Sequence, residues 1–247
     1  MDRQSVGIGT HEPEYVEEAV DPGRIIPYSW PTRERRFGWI EAGYNVPNMS
    51  SPLPISFYLH PTTDVAQALL GKLVVRTLST GERLSGMIVE TEAYLTGDPA
   101  SHAYRGQTPR NAAMFGPAGH AYVYISYGIH SMLNLVCGPE GVGEAVLIRA
   151  LEPVEGVEKM RELRGGIESR YGLTNGPGKL GQALGLTVKG ENGLDVTSPH
   201  SPLQVNGSAH HSVTPFDIVT TTRIGITVGV DAPWRFYIKG NRYVSKR

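Results

Sequence analysis

The sequence predicts an α+β domain, and three observations lead there. Its 247 residues, 40% of them hydrophobic, are enough for a packed core. Neither an internal repeat nor a low-complexity tract is present. Short helical patterns and β-rich runs follow one another in an order that suits one mixed domain.

Residues 1–50 differ in texture from the remainder. Glu12, Glu14, Glu17, Glu18 and Asp21 make an acidic stretch, Pro22, Pro27 and Pro31 interrupt it, and the Arg33–Arg36 cluster follows. These residues are expected to form a weakly structured extension with Met49 as an alternative start, leaving 51–247 as the domain.

Regular patterning begins near residue 61. Asp64 is expected to cap a short apolar helix, Val65–Leu70, with Gly71 ending it. Leu73–Arg76 reads as a strand, Ser79-Thr80-Gly81-Glu82 as a turn, and Arg83–Glu92 as the returning strand of a hairpin. Ala121–Ile125, Met132–Val136 and Ala145–Leu151 are further β-rich runs. Pro153 suits the first turn of a helix reaching about Leu163, where Val154, Val157, Met160 and Leu163 recur at three-residue steps before Gly165-Gly166. A short helix is expected near Lys179–Leu184. Arg223–Val230 and Arg235–Ile238 read as two strands around Asp231-Ala232-Pro233.

Composition excludes several classes of protein. The single cysteine, Cys137, excludes a disulfide framework and a multi-cysteine metal site. No apolar run approaches the roughly 20 residues that cross a bilayer, and the N-terminal residues lack the pattern of a signal peptide. A soluble, reducing, intracellular setting is expected. The formal net charge of −1 speaks against gripping nucleic acid by bulk electrostatics alone. Residues 1–50, however, hold 5 basic and 8 acidic residues, leaving 18 basic against 16 acidic in the rest, so the body is mildly positive.

Glu90 and Glu92 stand two apart near a strand end, which puts both carboxylates on one face with Ile88. Beside apolar surface such a group can act as a general base, although a solvated strand end accounts for the pair equally simply. Arg149 lies within the most apolar strand, Ala145–Leu151, where a guanidinium needs a carboxylate or several carbonyls, in a structural ion pair or in a site. Tyr122 and Tyr124 share a strand face, and Tyr127-Gly128 stand where a hairpin would turn. Exposed rings there suit stacking or insertion between bases, while packing is their blander use. Gly172-Leu173-Thr174-Asn175-Gly176-Pro177-Gly178-Lys179 resembles a phosphate loop only loosely, because the glycine spacing is one residue too long and Leu180 replaces the metal-binding Ser or Thr. Lys179 with the amides opening its helix can still meet one nucleic-acid phosphate. His102, His120 and His130 have no paired zinc-ligand spacing, so metal dependence is not expected.

Taken together, Ile88-Val89-Glu90-Thr91-Glu92-Ala93-Tyr94-Leu95, Gln107-Thr108-Pro109-Arg110-Asn111, Tyr122-Val123-Tyr124-Ile125 with Tyr127-Gly128, Leu147-Ile148-Arg149-Ala150-Leu151-Glu152-Pro153 and Gly176-Pro177-Gly178-Lys179-Leu180 resemble the alkyladenine DNA glycosylases, the 3-methyladenine or methylpurine enzymes of the mammalian type. The ordered likeness runs from about residue 58 to the C-terminus. It implies a curved antiparallel sheet with surrounding helices and a DNA-inserting β-hairpin. It also implies excision of damaged purines from double-stranded DNA by a monomer that uses no metal or other cofactor and no membrane.

By the same resemblance, Glu92 activates a water, Arg149 helps to hold it and the main-chain carbonyl of Ile224 completes the water site. The flipped purine lies between Tyr94, with His102, on one side and Tyr124 on the other. Tyr127 fills the gap left in the duplex, and Asn134 stands where the amino group of a normal guanine would point. Thr108, Arg110, Gly128 and Lys179 fall on the DNA backbone. A catalytically idle binder of damaged DNA would use the same pocket. A carbohydrate hydrolase built on Glu90 and Glu92 is disfavoured, since two carboxylates so close cannot clasp a sugar from opposite faces.

Overall fold

Two twelve-residue strands organise the computed structural model, which describes residues 51–208 and 216–245. These are β2 (Arg83–Tyr94) and β5 (Glu144–Glu155), paired antiparallel from Ser85↔Glu155 to Tyr94↔Ala145. The other edge of β2 is shared. β1 (Lys72–Thr77) takes its first half, from Leu73↔Met87 to Thr77↔Arg83, and β8 (Arg235–Ile238) takes Glu90↔Tyr237 to Glu92↔Arg235. β6 (Leu203–Ser208) lies beyond β1, β7 (Ile218–Thr221) beyond β8, and β4 (His130–Cys137) followed by β3 (Ala121–Ser126) beyond β5.

The result is an α+β domain, a curved antiparallel sheet with helices around it. Val74, Ile88, Val89, Leu133, Leu135, Val146, Ile148 and Leu151 are closed to solvent, each stabilising the fold by roughly 1.5–3 kcal/mol relative to exposure. The helices are short: α1 (Ile55–Tyr58), α2 (Thr62–Ala68), α3 (Val157–Leu163), α4 (Pro177–Ala183) and α5 (Val188–Glu191). At Gly181 α4 presses so closely on β4 that a Cβ would collide with the carbonyl oxygen of Ser131.

Three elements depart from the sequence expectation. Helix α2 starts at Thr62 after Pro61, whose carbonyl receives the amides of Asp64 and Val65; Asp64 therefore sits in the first turn instead of capping it. Pro153 belongs to β5 opposite Gly86, and α3 begins only at Val157, because pairing with β2 captures the backbone as far as Glu155. Arg223–Val230 is a loop, and β8 pairs instead with Ile218–Thr221. Gly225 and Gly229 take positive φ there (79° and 61°), which breaks a strand.

The expected extension, residues 1–50 with Met49, lies outside the described residues. No helix among the described residues is long and apolar enough to cross a membrane.

Candidate active site

The centre of β2 fixes the two acids. Glu90 and Glu92 lie between β5 on one side and β8 on the other, so both are fully buried where a strand end would leave them wet. Charges placed there must be paired. Arg149, 6% exposed, spans them: its Nε donates to Oε1 of Glu90 and its Nη1 faces Oε1 of Glu92, each at 3.1 Å.

The β2–β5 ladder carries two compensating irregularities here. It passes over Val89 on one strand and Arg149 on the other, between Ile88↔Leu151 and Thr91↔Ile148. Such bulges re-aim side chains and are frequent beside active sites.

Glu92 has three donors. Oε1 also accepts the Ile224 amide at 2.8 Å, and Oε2 accepts the Tyr94 hydroxyl at 2.9 Å. Burial pushes the Tyr94 hydroxyl well above the ordinary range, and the neighbouring Glu92 carboxylate adds to the effect. Burial opposes the charge on Arg149, but Glu92 and Glu90 outweigh it and raise its pKa. Glu90 has its own donors, Arg235 Nε at 2.7 Å and the amide and hydroxyl of Ser245 at 2.7 and 2.9 Å.

A cavity of about 400 Å³ opens in front of this cluster, within the size range of small-molecule sites. Tyr94, His102, Arg110, Tyr124, Tyr127, Asn134, Arg149 and Ile224 all stand on its wall. Glu92 is reached through three of those residues, Tyr94, Arg149 and Ile224. Three of the rings around the cavity, His102, Tyr122 and Tyr124, are in mutual contact. His102 lies edge-on to Tyr124 with centroids 4.4 Å apart, and its Nδ1 is 2.9 Å from the Tyr122 hydroxyl. Tyr122 and Tyr124 are 5.5 Å apart along β3. The imidazole thus keeps company with Tyr124, whereas the resemblance puts it beside Tyr94. Partial desolvation, helped by the Arg110 guanidinium, holds its pKa below the ordinary 6.5. Asn134 donates to the Tyr122 carbonyl at 3.0 Å, which fixes its amide at the pocket floor.

The hairpin tip, Tyr127-Gly128-Ile129, joins β3 to β4 and projects outward. Tyr127 is 88% exposed with φ of 50°, a conformation costly for a tyrosine. Gly128 follows at φ 75°, where a side chain would be strained but would meet no neighbour. Arg110 reaches the Ile125 carbonyl at 3.4 Å near the base of the tip. The Thr108 amide donates to Asn111 Oδ1 at 2.6 Å and the Asn111 side-chain amide donates to the His102 carbonyl at 2.8 Å, so the loop that carries Thr108 and Arg110 also places the imidazole. Lys179 lies exposed on the first turn of α4, its Nζ 2.7 Å from Asn175 Oδ1, two residues after the Pro177 that lines the cavity.

Sequence reasoning assigned no role to Arg223. Buried and paired with Asp98, it lies over the rings of Tyr94 and Trp234 at 4.7 and 5.0 Å. It thereby backs one wall of the cavity and precedes the Ile224 amide. Asp98 is 125 residues away, so no local pattern could have found the pair. Among the described residues no group of three or more His, Cys, Asp or Glu could hold a metal ion.

Residues 56–242 match the family model described as methylpurine-DNA glycosylase. A protein of Methanoculleus marisnigri named "Putative 3-methyladenine DNA glycosylase" is 53% identical over 196 residues, covering 79% of this chain and 99% of its own. Proteins of the same name from Carboxydothermus hydrogenoformans and Burkholderia lata are 51% and 47% identical, over 99% and 90% of their lengths and 79% and 78% of this chain. These relatives are archaeal and bacterial, so the likeness holds for the family as a whole and not for its mammalian branch in particular. The chain belongs to the methylpurine-DNA glycosylase family and is a DNA glycosylase, an N-glycosyl hydrolase.

Proposed function

We propose that this protein, acting as a monomer through residues 51–247, removes alkylated and deaminated purines from double-stranded DNA and leaves an abasic site for base excision repair. The substrate class is 3-methyladenine, 7-methylguanine, hypoxanthine and ethenoadenine. The observation that carries the reading is a dry carboxylate, Glu92, held by Arg149 and the Ile224 amide directly behind an aromatic cavity.

Extrusion comes first. Unstacking a base costs a few kcal/mol, least at a damaged pair, and Tyr127 offsets part of that cost by filling the gap. The extruded base enters among Tyr94, Tyr124 and His102. A cationic purine gains about 0.5–2 kcal/mol from each electron-rich face it meets. Asn134 opposes the exocyclic amino group of an undamaged guanine. Thr108, Arg110, Gly128 and Lys179 hold the DNA backbone.

Hydrolysis then needs a water at the anomeric carbon. Arg149 and the main chain at Ile224 orient it, and Glu92 takes its proton as the oxygen attacks. The carboxylate also stabilises the positive charge growing on the sugar. The bond to the purine breaks and its electron pair leaves with the base, which neutralises a cationic lesion; a neutral purine such as hypoxanthine leaves as its anion and takes up a proton from solvent. No side chain forms a covalent link to the sugar, so the enzyme is monofunctional.

Duplex oligonucleotides carrying hypoxanthine, ethenoadenine or 7-methylguanine test the reading. Free base and an alkali-labile abasic site are expected, with no adduct trapped by borohydride. Failure to excise any of the three sinks it, and a trapped adduct sinks the monofunctional mechanism.

A further inference from the structure

Glu90 is a buried carboxylate that this chemistry leaves without a task. It lies two residues from Glu92 on β2, is closed to solvent and is absent from the cavity wall. Oε1 accepts from Arg149 Nε, Arg235 Nε and the Ser245 hydroxyl at 3.1, 2.7 and 2.9 Å, and Oε2 accepts the Ser245 amide at 2.7 Å. Stability alone is a weak reason for such a cluster, because apolar residues of similar volume often serve as well.

The geometry of Arg149 supplies a better one. Its guanidinium is planar, so fixing two nitrogens fixes the direction of the third. Glu90 holds Nε at 3.1 Å, the Ser245 hydroxyl accepts from Nη2 at 3.3 Å, and Nη1 is left pointing at Glu92. Glu90 is itself anchored from β8 through Arg235 and from the C-terminal segment through Ser245. Because the β2–β5 ladder passes over Arg149, strand pairing gives its side chain less guidance than usual.

We propose that Glu90 is a positioning residue for excision: it sets the plane of Arg149, and through it the Nη1 that faces Glu92, with Ser245 completing the clamp. This rests on the proposed roles of Glu92 as base and Arg149 as its partner.

The test is a double-mutant cycle on Glu90→Gln and Arg149→Lys, reading the single-turnover excision rate and the dissociation constant for a hypoxanthine duplex. Lysine keeps the charge but cannot hold two carboxylates in one plane. In the wild-type background Glu90→Gln is expected to slow excision about 100-fold while lesion binding changes less than about 3-fold. Added to Arg149→Lys it should cost less than about 3-fold in rate, since its effect passes through Arg149. An equal loss in both backgrounds, a loss confined to binding, or no loss overturns the proposal.

Ser245→Ala takes one donor from Glu90 and the acceptor from Arg149 Nη2 without uncovering a charge, and it carries the same test if Glu90→Gln does not fold. A several-fold loss of rate that vanishes in the Arg149→Lys background is expected; an unchanged rate, or a loss that persists there, overturns the proposal. Glu92→Gln run alongside separates the two readings. Retained excision in that variant sinks the base assignment itself, whereas additive effects in the cycle sink only the role of Glu90.

Discussion

Arg149 Nη1 and Glu92 Oε1 lie 3.1 Å apart, with Glu92 fully buried and Arg149 nearly so. Breaking a buried pair by removing one partner leaves an uncompensated charge and typically costs about 3–5 kcal/mol. Arg149→Ala should therefore lower unfolding stability in urea by about that amount, since Glu90 and Glu92 both lose a donor. Arg149→Lys should cost less. An alanine variant with an unchanged urea midpoint would contradict the buried-pair account.

Tyr127 predicts the opposite separation of stability from function. Its ring is 88% exposed and its backbone sits at φ 50°, so Tyr127→Gly removes little packing and relieves the left-handed conformation. Stability should change by less than about 0.5 kcal/mol. Affinity for a lesion-containing duplex should fall by about 1–3 kcal/mol, the usual worth of one stacked base. Titrating the variant against duplex and single-stranded lesion DNA checks this, because the loss belongs to the duplex; equal losses on both would rule out gap filling.

His102 makes the site sensitive to pH in a lesion-dependent way. Desolvation, and then Arg110, place its pKa below the ordinary 6.5, so the ring is neutral above that value. Between the two values the folded chain binds fewer protons than the unfolded chain. The histidine's contribution to stability is therefore present above pH 6.5 and lost as pH falls through the lowered pKa. In the pocket an imidazolium repels a cationic purine. The excision rate of 7-methylguanine relative to hypoxanthine should thus drop as pH falls below 6.5 and passes through the lowered pKa, and His102→Gln should flatten that ratio. A ratio with the same slope in both proteins contradicts the placement of His102 beside the base.

The mild charge of the body limits how strongly binding can depend on salt. Arg110 and Lys179 are the exposed cations assigned to phosphates. Each replacement by alanine should reduce the slope of log affinity against log salt by about 1, and weaken lesion and undamaged DNA alike. Unchanged slopes would place the phosphates elsewhere on the surface.

The strands were readable in the sequence because alternation and turn residues are local. β1, β2, β3, β4 and β5 lie where the patterns put them, and no end extends more than four residues beyond the expected bound. Two signals failed for different reasons: long-range pairing with β2 absorbs the helical start at Pro153 into β5 opposite Gly86, and the positive φ of Gly225 and Gly229 bends Arg223–Val230. The site divides in the same way. Glu90 and Glu92 are legible as two acids on one face at a strand end, Arg149 as a charge within an apolar strand, and the tyrosines as rings on a strand face and at a turn. Their assembly into one cluster depends on partners far away in sequence, such as Ser245 for Glu90 and Asp98 for Arg223, 155 and 125 residues apart. The family resemblance supplied the Glu92, Arg149 and Ile224 grouping that residue patterns alone did not.

The central claim is that Glu92 takes the proton from the attacking water. Single-turnover excision by Glu92→Gln on a hypoxanthine duplex, with lesion binding measured in parallel, tests it most directly. Binding should stay within about 3-fold of wild type while the rate falls by about 10²–10⁴, the usual worth of a general base. Excision at the wild-type rate would contradict it.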